Sequence, residues 1–211
     1  KRKVVEEVST PGCYLVFTGG KRHFVMLCGD GSALVLVVDE KGAKVTRRPS
    51  PPFFEPDADP VTERGARYGN TWFFASYDGY LHGIDVGSTP PQPQAPWSLL
   101  TDAERAAGWK IGGTQHLAIS GPLNLLYSLV HQDGPDKIKD FGSRKDYGSA
   151  IWIYDLKSKQ RVNKIELETP TEEGGNRIIG GVHLIGVSPD AKPLLYTIGG
   201  QPPAVSVYDG R

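Results

Sequence analysis

Apolar residues in this chain come in short runs broken by turn residues. Val25-Met26-Leu27 leads into Gly29-Asp30-Gly31 and continues as Ala33-Leu34-Val35-Leu36-Val37-Val38. Trp72-Phe73-Phe74-Ala75-Ser76 leads into Tyr77-Asp78-Gly79 and continues as Tyr80-Leu81-His82-Gly83-Ile84. An Asp-Gly pair between two apolar stretches is a strong hairpin signal, because both residues tolerate positive φ. The pattern therefore predicts antiparallel strands almost throughout. Only Thr101-Asp102-Ala103-Glu104-Arg105-Ala106-Ala107-Gly108 reads as helix, with Thr101 as cap, Glu104 completing a capping box and Gly108 as stop.

The hairpins repeat. A strand ending in aspartate occurs as Val35-Leu36-Val37-Val38-Asp39 and His82-Gly83-Ile84-Asp85, and again as Ile151-Trp152-Ile153-Tyr154-Asp155 and Val205-Ser206-Val207-Tyr208-Asp209. The four aspartates lie 46, 70 and 54 residues apart. A four-stranded propeller blade takes about 40–50 residues. The long interval holds two surplus polar segments, one at Thr101 and one from Gln132 to Gly148. The predicted fold is all-β, a single partial β-propeller domain over residues 1–211. It has an outer strand at Lys1–Ser9, blades at about 12–50, 66–100 and 114–168, and an incomplete blade over 178–211 with three strands. Fewer than five blades, cut within a blade at both ends, are expected to be the later part of a longer chain, since an open propeller edge invites pairing with another chain.

Charge narrows the partners. Lys+Arg and Asp+Glu both number 24, so the net charge is zero and the basic excess of a nucleic-acid or anionic-membrane binder is lacking. No apolar run approaches the roughly 18 residues of a membrane span. The start, Lys1-Arg2-Lys3-Val4-Val5-Glu6-Glu7, has no signal-peptide core, so an exported protein would have to be seen here without its leader. The two cysteines are Cys13 and Cys28. If Tyr14–Thr18 and His23–Leu27 pair around Gly19-Gly20-Lys21-Arg22, partners sum to a constant. Residues 18 with 23 and 13 with 28 both give 41, which makes the two cysteines face each other at a cross-strand separation of about 4.5–5.5 Å, within disulfide reach. A disulfide in an oxidising compartment and two buried thiols in a reducing one both remain open on this spacing.

Catalytic signatures are missing: no phosphate loop, Cys-x-x-Cys, His-Glu-x-x-His or Gly-x-Ser-x-Gly occurs. Glu55, Asp57 and Asp59 suggest calcium, but Pro56 and Pro60 favour a solvated loop. His131 beside Asp133 reads as a strand-end polar pair before an acid–base one. His116 and His183 lie in inner-strand patterns that line a propeller channel, and the satisfied core histidine is the commoner outcome. Chemistry alone gives a binding or scaffolding propeller.

Several stretches together resemble the large subunit of quinoprotein amine dehydrogenases of the methylamine and aromatic amine type. Pro11-Gly12-Cys13-Tyr14 with Cys28-Gly29-Asp30-Gly31-Ser32 is similar to that family's disulfide hairpin. Leu99 to Lys110, followed by Gly112-Gly113-Thr114-Gln115, is similar to its helical turn and next inner strand, and Tyr77 to Asp85 to the preceding hairpin. Val187 to Tyr196 matches a late-blade motif almost residue for residue. These matches keep order and spacing from about residue 11 to 209. The stretch Gly134–Tyr147 departs from the methylamine pattern, which leaves an aromatic amine or another amine open. The family's N-terminal blades, its closing segment and its channel-gating aromatic have no counterpart in this sequence.

The resemblance implies a seven-bladed periplasmic subunit in an α2β2 assembly, oxidising primary amines to aldehyde and ammonia. Its partner small subunit carries tryptophan tryptophylquinone and the catalytic base, and a cupredoxin or c-type cytochrome accepts the electrons. This chain would be scaffold and channel wall with no catalytic residue, a Cys13–Cys28 disulfide, and a small-subunit or channel face at Trp109, Gly112, Gly113, Gln115 and His116. The competing expectation is a non-catalytic YVTN- or WD40-like interaction propeller. Against it stand the missing Trp-Asp and Gly-His pairs and the uneven repeat intervals.

Overall fold

The computed structural model describes residues 3–133, 147–167, 181–199 and 204–211, together with the backbone of a two-residue pair, Glu172–Glu173 with Asn176–Arg177. Except for Tyr147, the departing stretch from Gly134 lies outside the described residues.

Four antiparallel sheets succeed one another along the chain. The first joins β1 (Cys13–Gly20), β2 (His23–Cys28), β3 (Ala33–Val38) and β4 (Val45–Pro49) in that spatial order. The second joins β5 (Ala66–Tyr68), β6 (Thr71–Ala75) and β7 (Tyr80–Asp85), and its outer strand is split into β8 (Gln92–Pro93) and β9 (Trp97–Ser98), both paired to β7. After helix α1 (Asp102–Ala106), the third sheet has a split inner strand, β10 (Trp109–Ile111) and β11 (Leu117–Ser120). Both pieces pair with β12 (Leu125–Gln132), which is followed by β13 (Ala150–Asp155) and β14 (Gln160–Glu166). Beyond the two-residue strands β15 (Glu172–Glu173) and β16 (Asn176–Arg177), the fourth sheet holds β17 (Val182–Val187), β18 (Leu194–Gly199) and β19 (Ala204–Asp209). This consecutive up-and-down order in each sheet is that of propeller blades.

The turns follow from the sequence. At the Asp-Gly hairpins only the glycine takes positive φ: Gly31 at 80° and Gly79 at 80°. Gly31 is obligatory on a second count, because a Cβ there would lie 2.1 Å from the Phe54 carbonyl oxygen. The recurring aspartates each cap the turn to the next strand. The Asp39 carboxylate accepts from the Ala43 amide, Asp85 from Gly87, Asp155 from Lys157 and Ser158, and Asp209 from Arg211. An Asx side chain that closes its own turn is the physical content of the repeat. Helix α1 carries the expected capping box between Thr101 and Glu104.

Apolar clusters lie where neighbouring sheets meet. Between the first two, Phe17 packs on Trp72 at 5.0 Å and edge-on to Phe74 at 5.2 Å, with Val25, Val35, Phe53 and Ile84 around them. Between the second and third, Leu81, Leu99, Leu100 and Ile111 meet Trp152 and Tyr154. Between the third and fourth, Tyr127, Leu129, Ile151 and Ile153 meet Ile185 and Leu195. Hydrogen bonds cross each junction. The Trp72 indole donates to the Thr18 carbonyl at 2.8 Å, the Tyr154 hydroxyl to the Leu99 carbonyl, and the Tyr127 hydroxyl to the Gly210 carbonyl.

Three expectations need correction. Of the outer strand expected at Lys1–Ser9, the described part, Lys3–Ser9, is irregular and pairs with no strand among the described residues, although the Arg47 guanidinium donates to the Ser9 carbonyl. The β1–β2 hairpin keeps the predicted register at Cys13↔Cys28 and Tyr14↔Leu27 but then slips to Phe17↔Val25, Thr18↔Phe24 and Gly20↔His23. The slip between Tyr14 and Phe17 spans Leu15, at φ 65°, and the turn tightens to Lys21-Arg22. The third sheet begins at Trp109, within what looked like a loop entering at 114.

Candidate functional site

The split in the third sheet's inner strand builds the most distinctive local geometry. The Gly112 amide donates to the Leu129 carbonyl, and the Leu129 amide to the His116 carbonyl, so Gly113, Thr114 and Gln115 bulge out of the ladder opposite one residue. The bulge reaches the next sheet. The Thr114 and Gln115 amides both donate to the His183 carbonyl, at 2.7 and 3.1 Å, and the Gln115 carbonyl accepts from Ile185 at 2.9 Å. Gln115 and Leu184 thus form a parallel bridge between two inner strands. Nearby, Gly148 bridges to Val182.

Gly112 and Gly113 are required by the molecule's own packing. A Cβ on Gly112 would meet the His131 ring at 2.2 Å. Gly113 has φ 84°, and a Cβ there would meet Leu129 at 2.5 Å and the His183 carbonyl at 2.9 Å. The backbone that comes close to Gly113 is that of strand β17 in the same chain. Gln115 is half-buried, and its side-chain amide donates to the Leu117 carbonyl at 3.0 Å.

His116 is buried, and its Nε2 lies 2.7 Å from the Thr62 hydroxyl, linking the inner edges of the second and third sheets. Burial pushes its imidazole down to about 4; a backbone hydrogen bond at Gly113 opposes the shift and the positive charge of Arg64 adds to it. This is a neutral, positioned core histidine at neutral pH. His131 is buried as well. Its Nε2 lies 3.1 Å from one oxygen of Asp133, whose other oxygen lies 2.9 Å from the Lys110 ammonium. Sequence reading found the His131–Asp133 pair but missed Lys110. The signal was there: once Trp109 starts the strand, Lys110 stands opposite His131 in the ladder. The third member was lost because the strand was begun at 114.

Trp109 is half-buried, its ring 4.9 Å from that of Trp152. The Arg161 guanidinium lies 4.2 Å over the Trp152 ring and donates to Glu104 at 2.6 Å. With Val162, Asn163, Lys164 and Glu166 these residues line an open cavity of about 360 Å³. The structure therefore joins Trp109 to the outer flank of the sheet, and Gly112, Gly113, Gln115 and His116 to its inner edge. Cys13 and Cys28 are disulfide-bonded, as the family resemblance implied. Asp59, from the acidic loop, accepts from the Asp78 amide at 2.9 Å. Among the described residues no group of three or more His, Cys, Asp or Glu side chains is placed to hold a metal ion, and no helix is long and apolar enough to cross a membrane.

The sequence model of one family, methylamine dehydrogenase heavy chain (MADH), matches residues 1–211. The chain belongs to the methylamine dehydrogenase heavy chain family. It is 26% identical over 210 residues to the methylamine dehydrogenase heavy chain of Methylorubrum extorquens, covering 99% of this chain and 47% of that protein. It is 28% identical over 205 residues to that of Paracoccus versutus, covering 96% of this chain and 43% of that one. The chain thus spans about half the length of these relatives. Among solved structures, the β-propeller domain of Cps50 (Swd1) from Myceliophteria thermophila aligns with a TM-score of 0.52 at 11% identity, over 90% of this chain and 48% of that one. BBS1N, in its complex with ARL6DN, aligns with a TM-score of 0.52 at 12% identity, over 97% and 54%. At these identities the likeness concerns the fold, and it is that of a β-propeller. The molecule is thus a β-propeller chain of the methylamine dehydrogenase heavy chain family.

Proposed function

We propose that this heavy chain is the scaffold and channel wall of a periplasmic, tryptophan tryptophylquinone-dependent amine dehydrogenase. In this reading it pairs with a small quinone-bearing subunit in an α2β2 assembly that converts primary amines to aldehyde and ammonia. Electrons then pass to a cupredoxin or c-type cytochrome. The family match along all 211 residues carries the reading. The disulfide supports an oxidising compartment. The quinone, when bound in the partner, supplies the electrophile and electron sink; this chain's own residues bind and orient that partner. Its two touching indoles do not suit the cofactor's role. Trp152 is buried, and Arg161 covers one face of its ring.

Within the stretch from Trp109 to His116, the surface offered to the small subunit is the bulge at Thr114 and Gln115, held by its hydrogen bonds into strand β17. A backbone bulge fixed in this way is a pre-ordered feature of the kind interfaces use. Co-expression with the small subunit and purification through a tag on this chain tests the assignment. The expected result is equimolar recovery of a small partner with visible quinone absorbance. Recovery of this chain alone, folded and disulfide-bonded, contradicts it.

A further inference from the structure

The outer strands of the first three sheets differ in how they treat their free edge. In the second sheet the outer strand is two fragments set among Pro90, Pro91, Pro93 and Pro96, which cannot donate to a ladder. In the first, β4 ends in Pro49, and its Arg47 is bonded to the Ser9 carbonyl. Strand β14 has seven residues and no proline, and among the described residues it pairs on one side only, with β13. Natural edges are usually guarded by outward charges. Here Arg161 is drawn inward onto Trp152 and Glu104, and the exposed Lys164 and Glu166 pair at 3.0 Å and offset each other's charge.

The aromatic cavity opens beside this edge, lined by Arg161, Val162, Asn163, Lys164 and Glu166 of β14 and floored by Trp109 and Trp152. Val162 is 55% exposed at its rim. Just before the strand, Lys157 and Lys159 are exposed and form no ion pair among the described residues, while the neighbouring Asp155 is occupied with the turn amides. A proline-free edge, an aromatic recess beside it and ammonium groups at its start that form no ion pair among the described residues match a particular ligand chemistry.

We propose that the free edge of β14 takes up an extended, acidic segment of a partner polypeptide as an added strand, one of whose aromatic side chains sits over Trp109 in the cavity. Backbone pairing supplies the affinity and the recess supplies selectivity, as in other strand-addition interfaces. This goes beyond the small-subunit assignment and does not depend on it.

The probe is a fluorescein-labelled peptide, acetyl-Glu-Glu-Val-Phe-Val-Glu-amide, titrated into the full chain and read by anisotropy. Saturable binding is expected, with hydrogen exchange slowed over residues 160–166 and unchanged over 45–49 and 204–209. Replacing the glutamates by lysines, or Trp109→Ala in the protein, should weaken binding about tenfold, the scale of one or two lost polar or aromatic contacts. Two further peptides carry N-methyl groups on alternate amides, one in each phase. Strand addition predicts that one phase binds like the parent and the other about tenfold more weakly, because only alternate N–H groups face the edge. The idea is overturned by absence of saturable binding, by equal affinity of the two N-methylated phases, or by exchange protection elsewhere. It is equally overturned by a concentration-dependent dimer that the peptide cannot dissociate, which would assign the edge to a second copy.

Discussion

The third and fourth sheets carry nearly the same strand. Ile151-Trp152-Ile153-Tyr154-Asp155 and Val205-Ser206-Val207-Tyr208-Asp209 end on an aspartate that caps its own turn, and both pair antiparallel with the preceding strand. Their surroundings are opposite. In β13, residues 150–154 are all buried; in β19, residues 204–207 are all exposed, with Val205 at 60% and Val207 at 56%. Among the described residues, the third sheet packs against a neighbour on each face and the fourth against the third alone. Local pattern thus makes the strand and its turn, while the energy stored in the strand comes from what covers it.

The largest test of that contrast is a pair of core truncations. Trp152→Ala should cost about 3–5 kcal/mol in urea denaturation, because transfer and cavity costs add at a fully covered site. Val207→Ala should stay within about 0.5–1 kcal/mol, as at an exposed position. Similar losses at both positions would break the comparison.

Acid should act through the covered side. His116 sits between the second and third sheets with its pKa pushed down to about 4 by burial, facing Thr62 and in the field of Arg64. An unfolded histidine has a pKa near 6.5. The folded state therefore binds fewer protons than the unfolded one between these values. The stability from neutral His116 is complete above about pH 6.5, is lost as pH falls toward 4, and levels off below. The loss is of order 3 kcal/mol. His116→Gln should flatten the denaturation free energy across this window; an unchanged slope refutes the role. In the fourth sheet, Asp209 is held down to about 2 by hydrogen bonding to Arg211, so its contribution disappears only at far lower pH.

Opening the Cys13–Cys28 disulfide, whose cysteines are 15 residues apart, should lower stability by about 3 kcal/mol through loop entropy in the unfolded chain. Paired melts with and without dithiothreitol, against Cys13→Ser/Cys28→Ser, measure it. The smallest contrast is between matched tyrosines. Tyr154→Phe removes the buried bond to the Leu99 carbonyl and should cost about 1–2 kcal/mol. Tyr208→Phe, at the same place in the repeat of the fourth sheet, should change stability by less than about 0.5 kcal/mol.

The strands, the repeating aspartate turns, the capped helix and the cysteine pairing were legible because each depends on a few adjacent residues. What was not legible came from contacts distant in sequence. Thr62 offered no sign that it would bond His116, 54 residues away. The five-residue excursion at Gly112–His116 hid the strand at Trp109, and with it Lys110, because a split inner strand breaks the period that marks a strand. The two glycines were expected on a small-subunit or channel face, and the structure shows close contacts at both within this chain. The approaching group inside this chain, the His183 carbonyl, is visible only in three dimensions.

The role proposed for this heavy chain is to complete a quinone-dependent amine dehydrogenase without supplying the redox group. The most direct measurement is amine-dependent reduction of a dye, compared for this chain, the quinone-bearing small subunit and the two assembled. The account predicts turnover by the assembly, with neither subunit active alone and no visible quinone absorbance from this chain. Amine oxidation by this chain alone, or equal turnover by the small subunit with and without it, would contradict the account.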